Sequence, residues 1–372
     1  MKVLHVSGAL RWGGNEQQLL FIIKELNLYG VEQELFCFKG SPLIEATRSL
    51  PVKLIIKDYC KPYSYEYLKT FKHIIKCNLY DVIQLHTSNA VTGFVFSDLL
   101  YNLSTPCIYM RQGIRKKISY LSRLKYNYSK FDAIVCVSEN VKNSFQRILS
   151  EKNKKKLIVI HNGVELKSAE ERTINLRKEY NIASDTFIIG SIANHTQAKD
   201  LKNFVEVINI LVNIFKIKNI HALQIGEFYE RTKIFKELVK EYKLENHITF
   251  TDFLPEAFKL MTQFDCLLIT SEREGGPTAL LEAFNYKVPV VSTKVGLVDE
   301  AIDDGVNGFA AKVKDAPALA EKVKILIEDP ALREIFIDRA QCVFEKKFTT
   351  KILGQKTFEL YETLAKRKKL QS

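Results

Sequence analysis

One pattern constrains this chain more than any other: short β-branched runs alternate with helix-length segments, and the alternation occurs twice. The first set of runs is Lys2–Ser7, Glu34–Phe38, Val52–Lys57, Asp81–His86, Cys107–Arg111, Ala133–Val137 and Leu157–His161. Between them, residues 16–29 set Leu19, Leu20, Ile22, Ile23 and Leu26 on one face at helical spacing. Strands joined by helical crossovers pair in parallel, and a parallel sheet is covered on both faces. A polar stretch over 165–185, with Glu170, Glu171 and Arg172 in a row, reads as a linker and a first helix. The pattern then restarts with Phe187–Ala193, Ala222–Ile225, Ile248–Thr251, Cys266–Thr270, Val288–Ser292 and Phe309–Ala311. The spacing predicts helices over 201–215, 231–243, 256–263, 278–286 and 316–328. The tail from about residue 331 is almost wholly helical, more than the last strand needs, which predicts a helix folding back across the first domain.

The expected fold is α/β, with two doubly wound Rossmann-like domains facing a cleft. At roughly 100–200 residues per domain, 372 residues suit this division. The boundaries read as 1–168, 169–345 and a C-terminal helix over 346–372. Doubly wound domains bind ligands outside the carboxyl ends of their strands. The loops of interest are therefore Gly8–Glu16, His86–Asn89, Asn194–Lys199 and Ser271–Glu282.

Composition narrows the function. With 46% hydrophobic and 26% charged residues, disorder and low complexity are excluded. The net charge of +12 is concentrated: residues 1–168 hold 25 Lys and Arg against 13 Asp and Glu, and the remainder balances. Between Asp98 and Asp132 there is no acid, and the bases are Arg111, Arg115, Lys116, Lys117, Arg123, Lys125 and Lys130. Such a patch suits nucleic acid, an anionic membrane or a phosphate-bearing ligand, but no nucleic-acid-binding motif accompanies it. The seven Cys include no CxxC pair, so neither a disulfide framework nor a zinc site is expected. His5 interrupts the first apolar run, unlike a signal peptide. No run reaches the ~20 apolar residues of a spanning helix. A cytoplasmic protein is expected.

The most specific motif is Ser271-Glu272-Arg273-Glu274-Gly275-Gly276-Pro277-Thr278-Ala279-Leu280-Leu281-Glu282-Ala283. It follows an apolar strand and opens a helix, with Pro277 at or near the first turn, where proline is favoured. Gly275 and Gly276 let a ligand approach the backbone closely. The amides near Thr278 and Ala279 lie at the positive end of the helix dipole, a site for an anion. Glu274 stands before the helix and Glu282 about a turn and a half inside it.

These residues resemble the retaining glycosyltransferases of family four, which have the GT-B fold. Glu274 and Glu282 within EGGPxxxxEA, followed by Val288-Pro289-Val290-Val291, carry the resemblance. Gly13-Gly14-Asn15-Glu16, Val137-Ser138-Glu139, Asn162-Gly163-Val164-Glu165, and Glu300 with Asp304-Gly305-Val306-Asn307-Gly308 match further family segments in order. The resemblance implies a nucleoside-diphosphate sugar donor, UDP- or GDP-linked, as co-substrate and no other cofactor. It implies a saccharide or lipid-linked acceptor in surface polysaccharide or glycolipid synthesis. It also assigns roles: Glu282 to the ribose, Glu274 to the transferred sugar, and Gly275, Gly276, Pro277, Thr278 and Ala279 to the sugar and diphosphate. Lys199 would neutralise the departing diphosphate, Gly14 would admit phosphate or acceptor, and Leu254 would lie in the base-contacting loop. No Asp-x-Asp occurs, so no metal requirement is expected.

The sequence departs from the family in two places. Asn194 stands where the family has an Arg five residues before the Lys, and Gln112 stands where it has a His. His86 remains as a catalytic candidate, with a structural histidine as the alternative, and Arg111 or Arg115 as a source of the missing charge. The alternative for the whole chain is an inactive GT-B protein acting as a binding or scaffold partner. Over 118–130, Arg123, Lys125 and Lys130 alternate with aromatic and apolar residues. This suits a helix lying on an anionic membrane, peripheral on its inner face. A solvated basic face is the alternative.

Overall fold

The computed structural model describes residues 1–114, 118–167 and 174–371. Arg115, Lys116 and Lys117 lie outside the described residues. The chain divides into two compact units. The first is Met1–Glu165 with the chain from Thr349 onward, and the second is Leu166–Phe348.

The first unit is built on a parallel sheet of seven strands: β1 Lys2–Val6, β2 Glu32–Phe38, β3 Val52–Lys57, β4 Val82–Leu85, β5 Cys107–Arg111, β6 Phe131–Cys136 and β7 Leu157–Val159, in the order β3-β2-β1-β4-β5-β6-β7. The apolar runs fill both faces. Val3, Leu4, Ile83, Leu85, Ile108 and Ile134 are buried in one core with Ile22, Leu26, Phe71 and Phe94 from the covering helices. The second unit has six parallel strands: β8 Phe187–Ile192, β9 Ile220–Ile225, β10 Ile248–Thr251, β11 Cys266–Ile269, β12 Val290–Thr293 and β13 Phe309–Ala311, in the order β10-β9-β8-β11-β12-β13. Both sheets are doubly wound, with switch points at β1/β4 and β8/β11. Cys107, Cys136 and Cys266 are buried in strands, and all seven cysteines are free.

The helix Thr350–Gln371 belongs to the first unit and runs along the helix Gly14–Leu28. A Cβ on Gly354 would sit 2.3 Å from Glu25 Cβ, so a side chain there would force the helices apart. Thr350 Oγ1 donates to Glu25 Oε1 at 2.6 Å, Tyr29 stacks on Phe358 with ring centroids 4.6 Å apart, and the Tyr361 hydroxyl donates to Gln84. The chain returns to this unit beside the segment Asn162–Glu165. Val164 pairs with Thr349, and Gly163 has no room for a Cβ, which would lie 2.8 Å from Thr349 O.

One expected helix is shorter than the sequence suggests. The segment 118–130 forms a helix only over Tyr120–Tyr126. Beyond it Tyr128 and Lys130 turn onto Asp98, and the Lys130 ammonium also donates to Asn102 Oδ1 at 2.6 Å. The acid that closes the acid-free stretch at its start thus draws two of its side chains inward.

Candidate active site

In the second unit β8 and β11 are neighbours, so the loops that follow them lie side by side. After β8, Gln197–Lys199 makes a single 3-10 turn. Asp200 then takes φ +48°, which re-aims the chain into the helix Leu201–Asn209. Ala198 O accepts from both Glu272 N–H (2.8 Å) and Arg273 N–H (3.2 Å). Thr270 Oγ1 donates to Lys199 O at 3.3 Å and to Asp200 O at 3.2 Å. This stitching seats the Lys199 ammonium on Glu274 Oε1, which also accepts from Ser271 Oγ at 2.8 Å.

Gly275, Gly276 and Pro277 lead from Glu274 into the helix Thr278–Asn285. Pro277 precedes the helix with φ −63°, and no side chain caps the helix start. The positive end of the helix dipole, at Thr278 and Ala279, is left for a ligand. Glu282, on the same helix, is half-buried. Loss of hydration pushes its carboxyl up to about 7, with the Lys199 charge opposing the shift. The site thus holds a cation, two carboxylates of different character and an open helix N-terminus on adjoining elements.

Sequence reasoning missed a third support. Gly296, just beyond β12, has φ +57°, and a Cβ there would lie 2.4 Å from Gly275 O and 3.0 Å from Glu274 O. Thr293 Oγ1 donates to Ser271 O at 2.7 Å. The turn after β12 therefore backs the Ser271–Pro277 loop. A lone glycine one turn past a strand end, in Lys294-Val295-Gly296-Leu297, was the available signal.

Two family models match the chain: Glycosyltransferase Family 4 over residues 12–168 and Glycosyl transferases group 1 over residues 172–342. The chain belongs to glycosyltransferase family 4. The O-antigen biosynthesis glycosyltransferase WclY of Escherichia coli is 24% identical over 375 residues, covering 98% of this chain and 99% of WclY. Among solved structures, a glycosyltransferase from Rickettsia africae ESF-5 superposes with a TM-score of 0.85 at 21% identity, covering 98% of each chain. Anabaena Alr3699/HepE in complex with UDP and glucose superposes with 0.80 at 18% identity, covering 97% of this chain and 99% of HepE. These structures share the GT-B fold with the present chain.

The glycosyltransferase places its remaining candidates as follows. Asn194 is exposed, and its Oδ1 accepts from Glu227 N–H at 3.1 Å. Its neighbour His195 is fully buried and bonded to Gln224 (2.5 Å) and Thr232 (2.8 Å), which anchors the loop. Leu254 is half-buried, and beside it Phe253 is 64% exposed in the loop after β10, an aromatic face the sequence reading passed over.

In the first unit the switch point joins the loops after β1 and β4, and Gly8 N–H donates to Thr87 Oγ1 at 3.1 Å. Gly14 opens the helix Gly14–Leu28 with empty space where a Cβ would stand. His86 is buried, with Nε2 3.1 Å from His5 Nδ1, while His5 Nε2 lies 3.1 Å from Gln33 Oε1. Burial holds both imidazoles neutral, and His5 falls to about 4. A structural histidine takes such a place. Arg111 is buried, with its guanidinium 4.9 Å from the Phe145 ring centre and 5.7 Å from that of Tyr126, and Gln112 beside it is half-buried. The Lys125 ammonium is turned onto Ser88 Oγ (2.9 Å) and Thr92 Oγ1 (3.1 Å), whereas Arg123 is exposed.

Proposed function

We propose that this glycosyltransferase moves a sugar, with retention of anomeric configuration, from a nucleoside-diphosphate sugar to a saccharide or lipid-linked acceptor. UDP is the first choice of carrier and GDP the second, and the pathway is surface polysaccharide or glycolipid assembly. The observation that carries this reading is the Lys199–Glu274 pair at the uncapped N-terminus of the helix that bears Glu282.

The chemistry follows from competition for Lys199. An arriving diphosphate brings more negative charge than one carboxylate, so it takes the ammonium. Glu274 is then left to accept hydrogen bonds from sugar hydroxyls. The departing diphosphate is stabilised by Lys199 and by the first N–H groups of the helix, charge placed in advance where charge develops. Attack on the face from which the leaving group departs preserves configuration, with positioning as the other contribution of the site. Glu282, as a carboxylate, accepts from the two ribose hydroxyls. With Lys199 and the helix in these roles, the reaction needs no metal.

Two relatives support the donor class and the pathway. HepE was solved with UDP and glucose, and WclY is named for O-antigen synthesis. The acceptor side falls to the first unit. There the helix Tyr120–Tyr126 exposes Tyr120, Leu121 and Leu124 around Arg123, and the helix Ser88–Tyr101 packed against it exposes Phe96, Leu99 and Leu100. Apolar side chains beside a base suit an anionic membrane surface, where a lipid-linked acceptor resides. No helix among the described residues is long and apolar enough to cross a membrane.

The test is turnover: incubation with UDP-, GDP- and ADP-sugars, reading nucleoside diphosphate release with and without EDTA. Release from one donor, unaffected by EDTA, with product of retained configuration, is expected. No release from any donor contradicts catalysis, and loss of release in EDTA contradicts metal independence.

A further inference from the structure

Arg111 ends β5, at the carboxyl edge of the first unit's sheet, as a buried cation without a counterion. It is 6% exposed, and among the described residues no carboxylate pairs with it. The acids nearest in sequence are committed elsewhere. Asp98 accepts from Leu103 N–H at 2.6 Å and pairs with Lys130, Asp132 accepts from Cys107 N–H at 2.8 Å, and Glu139 pairs with Lys142 at 3.0 Å. The walls around Arg111 are rings instead: Tyr109 from β5 itself, Tyr126 from the helix Tyr120–Tyr126, and Phe145 from the helix Glu139–Gln146. Tyr109 and Tyr126 are stacked with ring centres 5.4 Å apart. Ring faces return part of the hydration that a buried cation loses, but they do not replace the hydrogen bonds of its N–H groups. The donor on Nε is sealed without a partner, and Nη1 reaches the Tyr109 hydroxyl only at 3.5 Å. Nη2 is neither sealed nor bonded within the described residues. The chain rises to the surface directly after Arg111: Gln112 and Gly113 are half-buried, and a Cβ on Gly113 would meet nothing within 4 Å.

The surroundings add charge of the same sign. The Lys125 ammonium lies 4.9 Å from the centre of the same Tyr126 ring and donates to Ser88 Oγ at 2.9 Å and Ser88 O at 3.2 Å. Ser88 opens the helix Ser88–Tyr101, so this ammonium stands at the positive end of a helix dipole, where a cation is disfavoured. The Tyr126 hydroxyl, 3.1 Å from Ser88 Oγ, registers the local field. Burial raises it, yet the hydrogen bond with Ser88 and the charges of Lys125 and Arg111 hold it below its ordinary value. Two cations and a helix N-terminus gathered about one tyrosine are an arrangement that an anion relieves. Two positive charges match a phosphate better than a carboxylate. The guanidinium fork, the ammonium and the Ser88 and Tyr126 hydroxyls can donate to several of its oxygens.

We propose that Arg111 and Lys125 form an anion site that takes a phosphate group of the acceptor, so that the acceptor is a phosphate-bearing saccharide or lipid. The proposal rests on the glycosyl-transfer reading above, in which the acceptor side falls to the first unit. β4 and β5 are neighbours in the sheet, which places Arg111 beside the start of the helix that follows β4, at the edge where doubly wound domains bind ligands. The phosphate completes the hydrogen bonding of a guanidinium that the folded chain leaves unmatched, and it anchors the acceptor by its charged end.

The test is calorimetric titration of the full chain loaded with excess UDP, so that the donor site is filled. The probes are glucose 1-phosphate, glycerol 3-phosphate and a polyprenyl diphosphate in detergent, with inorganic phosphate, acetate and glucose as comparisons. At least one organic phosphate should bind more tightly than every comparison, and which one binds separates a saccharide acceptor from a lipid one. Its binding should weaken at least about tenfold in Arg111→Met and in Lys125→Gln, the scale for losing a hydrogen bond to a charged group, and should persist in Lys199→Ala. UDP affinity in Arg111→Met and Lys125→Gln should stay at the wild-type value, which reports an intact fold; where Arg111→Met loses UDP as well, the half-buried Lys125 carries the test. Absence of organic phosphate binding, binding unmoved by Arg111→Met and Lys125→Gln or lost instead in Lys199→Ala, or inorganic phosphate or acetate binding equally well would overturn the proposal. The UDP titration in the same samples reports separately on the donor reading: Arg111-dependent phosphate binding without UDP binding counts against that reading and not against this anion site.

Discussion

At the residue scale, the account turns on Lys199, Glu274 and Glu282. The Glu282 carboxyl is raised to about 7 from an ordinary value of 4.5 because the folded chain strips its hydration. The sign of the stability effect follows. The native state holds this proton more tightly than the unfolded chain, so Glu282 costs nothing below pH ~4.5, and its cost grows as pH rises to about 7 and is complete above that. Glu282→Gln should therefore raise the unliganded protein's stability at pH 8 by on the order of 1–2 kcal/mol and leave it unchanged at pH 4, as read by urea unfolding. Binding runs the other way. On the proposed assignment ribose hydroxyls donate to the carboxylate, so affinity for a nucleotide sugar should strengthen as pH rises from 6 to 8, and Glu282→Gln should bind weakly with a flat profile. A nucleotide sugar is the probe to use, since its diphosphate carries no proton in this range. Lys199→Ala should lower turnover by about a hundredfold or more, the scale for removing one preorganised charge partner. A fall within threefold would remove Lys199 from its role.

At the element scale, the site is a property of three adjacent loops. β8, β11 and β12 are consecutive in the sheet, and the turns after them are tied by Ala198 O, Thr270 Oγ1, Thr293 Oγ1 and the close approach of Gly296 to Gly275. Gly296→Ala should destabilise the protein by about 1–3 kcal/mol, through both the positive φ and the contact with Gly275 O. Donor affinity should fall with it, although Gly296 itself need not touch the donor. Thermal unfolding and calorimetry on the same variant check the two effects, and a change in stability alone would mean that the Ser271–Pro277 loop keeps its shape without this support.

The strands were the legible part of this architecture. A strand buried on both faces reads as a near-continuous apolar run, and such runs as Cys266–Ile269 and Phe309–Ala311 leave little choice of location. Local chemistry also marked the EGGP turn, because two glycines and a proline between an acid and a helix start have few other uses. The short Tyr120–Tyr126 helix was not legible, since it is cut by Asp98, some 30 residues away in sequence, which claims Tyr128 and Lys130. Gly296 was hidden for the same reason. Its meaning lies in which loop it meets, and periodicity carries no record of that.

At the scale of the whole molecule, the charge excess and the donor chemistry separate. The second unit is slightly acidic, with 25 Lys and Arg against 28 Asp and Glu, yet it places one lysine and one helix terminus where the proposed diphosphate would sit. The first unit carries the basic excess, and the structure spends part of it internally, on Asp98, Ser88 and Thr92. What faces outward there is Arg123 with Tyr120, Leu121 and Leu124, and Phe96, Leu99 and Leu100 on the neighbouring helix. Co-sedimentation should show binding to vesicles containing anionic lipid and little to neutral ones, and Leu99→Ser with Leu121→Ser should weaken it by about tenfold, since each removes apolar area from the contact. Equal sedimentation with neutral vesicles, or none with either, would make this face an ordinary solvated surface. The central claim, that Lys199, Glu274 and Glu282 with the helix Thr278–Asn285 form a nucleotide-sugar site, is tested most directly by calorimetric titration of UDP-, GDP- and ADP-sugars into the wild-type protein and Glu282→Ala. The account predicts saturable binding of one donor, UDP-linked first, and its loss in the variant. Binding that persists unchanged in Glu282→Ala, or no binding of any donor to the wild type, would contradict it.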